Sequence, residues 1–481
     1  MGDILRRQWH ELRLNLRPRE FAYWLVQNFL LLVFTGAMRT QVFGGEHYAP
    51  PAQGTLLLCS HKRDWDPLLC AIKLYYQRGW LRPDGRRMAF VGREDMFSRG
   101  FLAEIVSYRD WPRWTMWLLD HITLTPIIGP LRAYPIVRLL EFSTRQYLFE
   151  LRAEQGDLPL KEVFSPAYLE QLDQWAEAAA KRSRRFRPRP SRELRLSDIL
   201  TWDYREPLMS RLRRGALLPE RYEAYKTRQR AKIDRQLRTA LGALARGDTL
   251  WLAPEGMITQ DGAPRRVRES LHSLLAIMPP DTRILPVNVT YDFMTTDRMR
   301  ACISVGPPLI RLERASDQRE REGRRPAPSS DPGRRLADLE RKALGQAVIT
   351  AITGQTVVTM SMLGSRFLLE RLQQEPPTFS FEMAHAALAQ NVQLLAAQGI
   401  RLERGLGEPR QRGRRLRAFL AYGLRHGLLT RQPDQTYRVN PAPFQQQRET
   451  FFWLNPRYSA NELAALEGAL AQQGRSVTAN Q

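Results

Sequence analysis

The sequence predicts an α/β layered domain with an inserted basic helical segment, followed by a mostly helical, winged-helix-like C-terminal domain. Three observations predict it. From about residue 45 to 312, apolar runs too short for helices alternate with segments of helical period. Inside that region, Leu139 to about Arg230 is long, helix-like and rich in arginine. Beyond residue 335 the pattern is helical until residues 416–440, which read as a helix, a turn at Gly427 and a hairpin around Pro433-Asp434.

The first 44 residues hold two helical patterns. Residues 4–17 place Ile4, Leu5, Trp9, Leu12 and Leu16 near one face, with Arg6, Arg7, Arg13 and Arg17 mostly around the other. After Pro18, residues 21–38 are uncharged over 18 positions. At 1.5 Å per residue they would span about 27 Å, against a hydrocarbon core of about 30 Å. Gln27 and Asn28 sit mid-run, and Arg39 follows without a convincing small-residue cleavage site, which argues against a removed signal peptide. These N-terminal helices are expected to be membrane-associated. A shallow hairpin in one leaflet ranks first, a single span second and a buried helix third.

Residues 53–59 (QGTLLLC) read as a fully buried strand and Ala89–Val91 as the core of another. Residues 249–253 (TLWLA), 284–290 (ILPVNVT) and Cys302–Val305 supply three more. The insertion, about residues 139–230, is most basic at 182–190 (RSRRFRPRP). Residues 313–335 mix charge with Pro, Ser and Gly and read as an exposed linker, leaving 336–481 as the C-terminal domain. No internal repeat is found.

Composition narrows the partners. The 481 residues carry 73 Lys plus Arg against 50 Asp plus Glu, a net charge of +23, and all but seven of the basic residues are arginine. Guanidinium is permanently charged and forks onto phosphates and carboxylates, so an anionic partner is expected: nucleic acid, an acidic membrane surface or a phosphorylated small molecule. Over residues 181–240 there are 19 Lys plus Arg and 7 Asp plus Glu, so +12 of the +23 falls in an eighth of the chain. A hydrophobic content of 43% with 11 Trp and 19 Phe excludes wholesale disorder. Cys59, Cys70 and Cys302 are odd in number and widely spaced, which indicates neither a disulfide framework nor a zinc site and suits a reducing compartment.

The chemistry begins where the first buried strand ends. In Cys59-Ser60-His61-Lys62-Arg63-Asp64-Trp65-Asp66-Pro67, a histidine follows the strand and a carboxylate stands five residues on, where a helix can begin. Folding back, Asp66 can fix the tautomer of His61 and stabilise the imidazolium, making His61 a candidate general base. Asp64 is a second possible partner. Ser60 is a possible nucleophile, but it lacks the glycines of a nucleophile elbow. In order along the chain come Val91-Gly92-Arg93-Glu94, Pro135-Ile136-Val137-Arg138, Ala253-Pro254-Glu255-Gly256 and Leu285-Pro286-Val287.

This ordered set resembles the glycerolipid acyltransferase family, the group of 1-acylglycerol-3-phosphate and glycerol-3-phosphate O-acyltransferases with HxxxxD and PEG motifs. The resemblance covers about residues 45–310 apart from the insertion and implies that 45–312 is the acyltransferase domain. It implies that His61 deprotonates a glycerol hydroxyl, that Asp66 orients His61, and that the substrate oxygen attacks an acyl thioester. It further implies that Arg93, with Glu94 beside it, and Arg138 hold the acceptor's phosphate, and that Glu255 and Gly256 position substrate. Many members carry Thr-Arg-Ser after PEG where this chain has Met257-Ile258-Thr259, and Arg265, Arg266 or Arg268, which follow within a turn or two, could supply that charge instead.

The expectation is a membrane-associated acyltransferase of phospholipid synthesis on the cytoplasmic face. It would take an acyl chain from acyl-CoA or acyl carrier protein to 1-acylglycerol-3-phosphate, with glycerol-3-phosphate as the alternative acceptor. No metal or redox cofactor is implied, because the thioester is already activated. The basic insertion would meet an anionic membrane surface; Trp111, Trp114 and Trp117, three residues apart, read equally as interfacial side chains or as a helix face packed into the core. Nucleic-acid binding ranks second, since it gives no reason for the apolar N-terminus or the HxxxxD and PEG pair, and a catalytically silent membrane scaffold remains a third reading.

Overall fold

A computed structural model describes residues 18–48, 54–75, 88–97, 132–136, 144–309 and 332–479, with interruptions at 183–185, 202–203, 209–214, 257, 265–266, 280–281 and 446–453 and isolated positions between 115 and 122. The fold is α/β, with a seven-stranded, mostly parallel sheet. The chain divides into two compact units, residues 1–90 with 241–481, and residues 91–240.

The sheet runs β1 (Arg39–Phe43), β2 (Thr55–Cys59), β3 (Met88–Arg93), β4 (Ala133–Ile136), β5 (Thr249–Leu252), β6 (Arg283–Asp292) and β7 (Arg300–Val305), in spatial order β1-β7-β6-β2-β5-β3-β4. All five residues of β2 are buried, as expected of an apolar strand with parallel neighbours on both sides. The five strands expected from sequence are present. β1 and β4 are additions, and β6 continues to Asp292. β1 (RTQVF) is mostly half-buried, so its polar alternation hid it from a search for apolar runs.

The strand order reverses between β2 and β5. From β2 the chain passes over β5 to β3, and from β5 it passes back over β2 to β6. In doubly wound sheets such a reversal is where ligands bind, outside the carboxyl ends of the strands, and the loops after β2 and β5 both start there. Those loops carry the His61-Asp66 and Glu255-Gly256 motifs.

The N-terminal run forms a single helix, α1 (Pro18–Ala37), packed on α2 (Asp66–Tyr75) with Tyr23, Gln27 and Phe34 turned inward. No described helix is long and apolar enough to cross a membrane, which corrects the spanning alternative: polar Gln27 and Asn28 lower the apolarity of this one. The other arm of the expected hairpin, residues 4–17, lies outside the described residues, as do Trp111, Trp114, Trp117 and most of the linker at 313–335.

After the sheet, α3 (Glu269–Ile277) lies between β5 and β6, and α4 (Pro332–Thr353) leads into a helical module. Its order is α5 (Met360–Arg371), β8 (Thr378–Phe379), α6 (Phe381–Ala397), α7 (Pro409–Arg425), β9 (Leu429–Arg431) and β10 (Tyr437–Val439), followed by α8 (Pro456–Ala479). The strands form an antiparallel sheet in the order β8-β10-β9. Thr359 and Ser380 cap α5 and α6 by accepting the N–H groups of Met362 and Met383. At Gly364 an added Cβ would lie 2.5 Å from the Phe419 ring, so glycine is what lets α5 and α7 touch.

A buried charge network ties this module to the end of β6. Arg415 of α7 pairs with both Asp292 and Glu403, Arg300 meets Glu403 at 3.1 Å, and Asp292 also accepts the Ser361 N–H at 3.0 Å. Burial pushes the Glu403 carboxyl up to about 7 and the Arg415 guanidinium down to about 10, since both charged forms give up water here.

In the second unit, beyond β4, the described residues are mostly helical. Helices Thr144–Gln155, Pro166–Arg182 and Pro219–Ala245 surround a core that includes Tyr147, Phe164, Leu172 and Tyr225. Several of its arginines meet acids of the same unit, as in Arg195–Asp157 and Arg189–Asp198, both at 3.3 Å. Such exposed pairs contribute about 0–1 kcal/mol each.

The Glu403 network carries a pH dependence. Its folded-state value lies above the ordinary 4.5, so the stability it lends is present below about pH 4.5 and lost as the pH rises through about 7. Thermal midpoints between pH 5 and 8 should therefore fall more for the native chain than for Glu403→Gln; parallel curves would contradict this.

Candidate functional site

The turn after β2 is built around the carboxylate of Asp66, which is fully buried at the start of α2. Pro67 follows inside the first helical turn, where a missing N–H costs nothing. Asp66 Oδ2 accepts the main-chain N–H groups of Lys62 at 2.6 Å and Arg63 at 2.8 Å, and lies 3.4 Å from His61 Nδ1. The Tyr291 hydroxyl, at the end of β6, donates to Asp66 Oδ1. The His61 side chain keeps 15% exposure, against 0% for Asp66, and its ring meets Trp251 of β5 edge-on at 5.6 Å. With Nδ1 facing Asp66, Nε2 is the nitrogen left for a substrate proton.

The other candidates around this turn are disposed of by geometry. Asp64 is exposed, whereas Asp66 faces the ring. Ser60 Oγ donates to Asn288 at 2.5 Å and accepts the Val289 N–H at 3.3 Å, so it serves as a tie between β2 and β6.

The loop after β5 docks onto the same turn. Thr259 donates its N–H to the His61 carbonyl at 2.7 Å, and its hydroxyl bonds Glu255 Oε2 at 2.7 Å. Gly256 has φ +66, a conformation that favours glycine, and a Cβ there would crowd the Arg268 side chain, with Nε at 2.9 Å. Arg268 Nε donates to the Glu255 carbonyl at 3.1 Å, which makes it the one of the three candidate arginines seen to fold onto this loop. Arg265 and Arg266 lie outside the described residues.

His61, Asp66, Glu255 and Gly256 are thus brought together by two adjacent strand ends. Arg93 closes β3 and Glu94 follows it, in the other compact unit; the Arg93 side chain lies outside the described residues. Glu94 pairs with Lys232 at 2.7 Å and accepts Gln236 at 3.4 Å. Arg138 lies outside the described residues.

Comparison of the sequence with protein-family models finds no match, and comparison with curated proteins finds none either.

Three contributors escaped the sequence reading. Tyr291 is deeply buried, and burial with the nearby Asp66 carboxylate raises its phenol well above the ordinary value, keeping it a donor. Lys62 is buried in an ion pair with Glu462 of α8. The Arg63 guanidinium lies over the rings of Phe293 (4.4 Å), Tyr291 (5.7 Å) and Tyr458 (5.9 Å), and burial lowers its value. The one available signal was chemical: two consecutive cations beside buried positions need counter-charges or ring faces.

Chemically the arrangement offers an imidazole with one nitrogen facing a carboxylate and the other turned away from it. It suits removal and return of a proton at a bound group. Among the described residues no group of three or more His, Cys, Asp or Glu side chains is placed to hold a metal ion.

Tyr291→Phe deletes the donor to Asp66 Oδ1 while keeping the ring. Hydrogen bonds to charged groups contribute about 1.5–3 kcal/mol, and denaturant unfolding should show a loss of that size. A change under about 0.5 kcal/mol would show that this bond contributes nothing to the fold.

Proposed function

We propose that this protein is a membrane-docked O-acyltransferase of phospholipid synthesis, moving an acyl chain from a thioester carrier to the hydroxyl of 1-acylglycerol-3-phosphate, with glycerol-3-phosphate the alternative acceptor. The observation that carries the reading is the His61–Asp66 pair at the end of β2, with the Glu255–Gly256 loop hydrogen-bonded to it from the end of β5. This is the HxxxxD and PEG pairing on which the family resemblance rests.

His61 takes the acceptor's hydroxyl proton as the oxygen attacks the thioester carbonyl. The tetrahedral intermediate collapses, the carbon–sulfur bond breaks, and the imidazolium returns its proton to the leaving thiolate. Asp66 stabilises the imidazolium between those steps. The acceptor's phosphate is assigned to Arg93 and Arg138 through the family resemblance, and the bidentate geometry of guanidinium suits it. Acyl-CoA and acyl carrier protein both fit as donors.

Docking at a membrane is supported by α1. Leu25, Phe29, Leu32 and Val33 recur at helical spacing and are 46–73% exposed, a continuous apolar stripe opposite the packed face. Arg298 bonds the carbonyls of Thr35 and Gly36 at the end of this helix, and Lys73 bonds the Thr35 hydroxyl at 3.2 Å, so cations stand beside the stripe. An apolar stripe with basic neighbours is the surface an anionic bilayer takes. The cytoplasmic face is the side on which soluble thioester donors are met.

A second reading, nucleic-acid binding, is favoured by one observation. The α5-β8-α6-α7-β9-β10 order with sheet order β8-β10-β9 is winged-helix topology, and Arg410, Arg414, Arg417 and Arg425 are exposed along α7, the helix that would enter a groove.

The deciding experiment is transfer of radiolabelled acyl chains to both acceptors. His61→Ala should lose about 10²- to 10⁴-fold in rate while remaining folded and bound to vesicles. Full activity in that variant sinks the proposal. Duplex binding that survives about 0.5 M salt, and that Arg410→Glu with Arg414→Glu abolishes, would instead favour the second reading.

A further inference from the structure

Helix α8 lies nearly 400 residues beyond the HxxxxD turn in sequence, yet its first turns touch both motif loops. On the His61 side, Glu462 pairs with the Lys62 ammonium, and both side chains are 3% exposed or less. The Tyr458 ring flanks the Arg63 guanidinium. On the Glu255 side, Asn461 Nδ2 donates to the Asp261 carbonyl at 3.0 Å, and a Cβ on Gly262 would lie 2.2 Å from the Tyr458 carbonyl. Lys62 and Arg63 are the residues whose N–H groups hold Asp66 Oδ2. Fixing their side chains therefore fixes the two donors that orient the carboxylate facing His61.

We propose that α8 belongs to the active site, with Glu462 a positioning residue that acts through Lys62 on the His61–Asp66 pair. The inference rests on the acyltransferase reading above and adds a residue to it. A general base has to meet the substrate proton within hydrogen-bond reach, so a shift of a few tenths of an ångström in the turn is felt in the chemical step and not in substrate affinity. Burial raises the Glu462 carboxyl, and the Lys62 ammonium opposes that rise.

The test is a double-mutant cycle on acyl transfer, using a long-chain acyl-CoA with 1-acylglycerol-3-phosphate and with glycerol-3-phosphate, and thermal melts to verify folding. Glu462→Gln should lower kcat about tenfold and leave the KM of each substrate within about twofold. Glu462→Asp, which keeps the charge on a shorter stem, should fall between. In an Asp66→Asn background, Glu462→Gln should cost less than about twofold more, because the group it acts through has already been disabled.

A loss that is the same in both backgrounds, a loss confined to KM, or no loss at all overturns the inference. If Glu462→Gln does not fold, the same cycle run with Glu462→Asp decides the matter by the same criteria. If the native chain shows no His61-dependent transfer, the acyltransferase reading falls and takes this inference with it. His61-dependent transfer with an additive Glu462 effect removes only the role of α8.

Discussion

A carboxylate taken wholly out of water must find donors for its lone pairs, and the donors Asp66 finds organise much of this molecule. Two are main-chain N–H groups from its own turn, one is the ring it faces, and one is a phenol from β6. Each fixes something different. The N–H groups close the turn, the imidazole receives its orientation, and the phenol ties helix α2 to a strand two hundred residues further on. Because β2 and β6 are hydrogen-bonded neighbours in parallel register, the end of one strand can supply the acid's turn and the end of the other its donor.

The last two residues of β6 extend this logic. Successive side chains on a strand point to opposite faces. Tyr291 turns to Asp66 while Asp292 turns to Arg415 and Ser361. A single strand end thus serves the candidate site on one side and anchors the helical module on the other. The module is held to the sheet by ion pairs as well as by its core, and because Glu403 is buried there its ionisation is coupled to stability.

Much of this was legible in the sequence, and the boundary is physical. Apolar runs flanked by turns gave away β2, β5, β6 and β7, and the spacing from His61 to Asp66 carried the pair itself. Gly427, with φ +69, and the hairpin near Pro433-Asp434 were read from local turn chemistry. What stayed hidden depends on contacts between residues far apart. Nothing near Tyr291 marks it as a donor to residue 66, and nothing near Glu462 marks it as the partner of Lys62. β8, two residues long, exists only because β10 pairs with it. The exposed stripe on α1 was half legible: the apolar run was plain, but which part packs on α2 depends on tertiary structure.

The arginine excess gains a structural meaning beyond charge. Arg63, Arg412 and Arg415 are all buried, and each is accommodated in a way that a planar fork permits. Arg63 lies over aromatic faces and bonds the Lys62 carbonyl, Arg412 bonds the Leu406 carbonyl, and Arg415 bridges two carboxylates. An ammonium has no flat face to stack and concentrates its charge at a point, so burying one calls for a directly opposed carboxylate. Lys62 is the buried lysine, and it has one in Glu462. The difference explains why arginines can be spread through this interior with varied partners, while the single lysine beside His61 commits a distant helix to the same place.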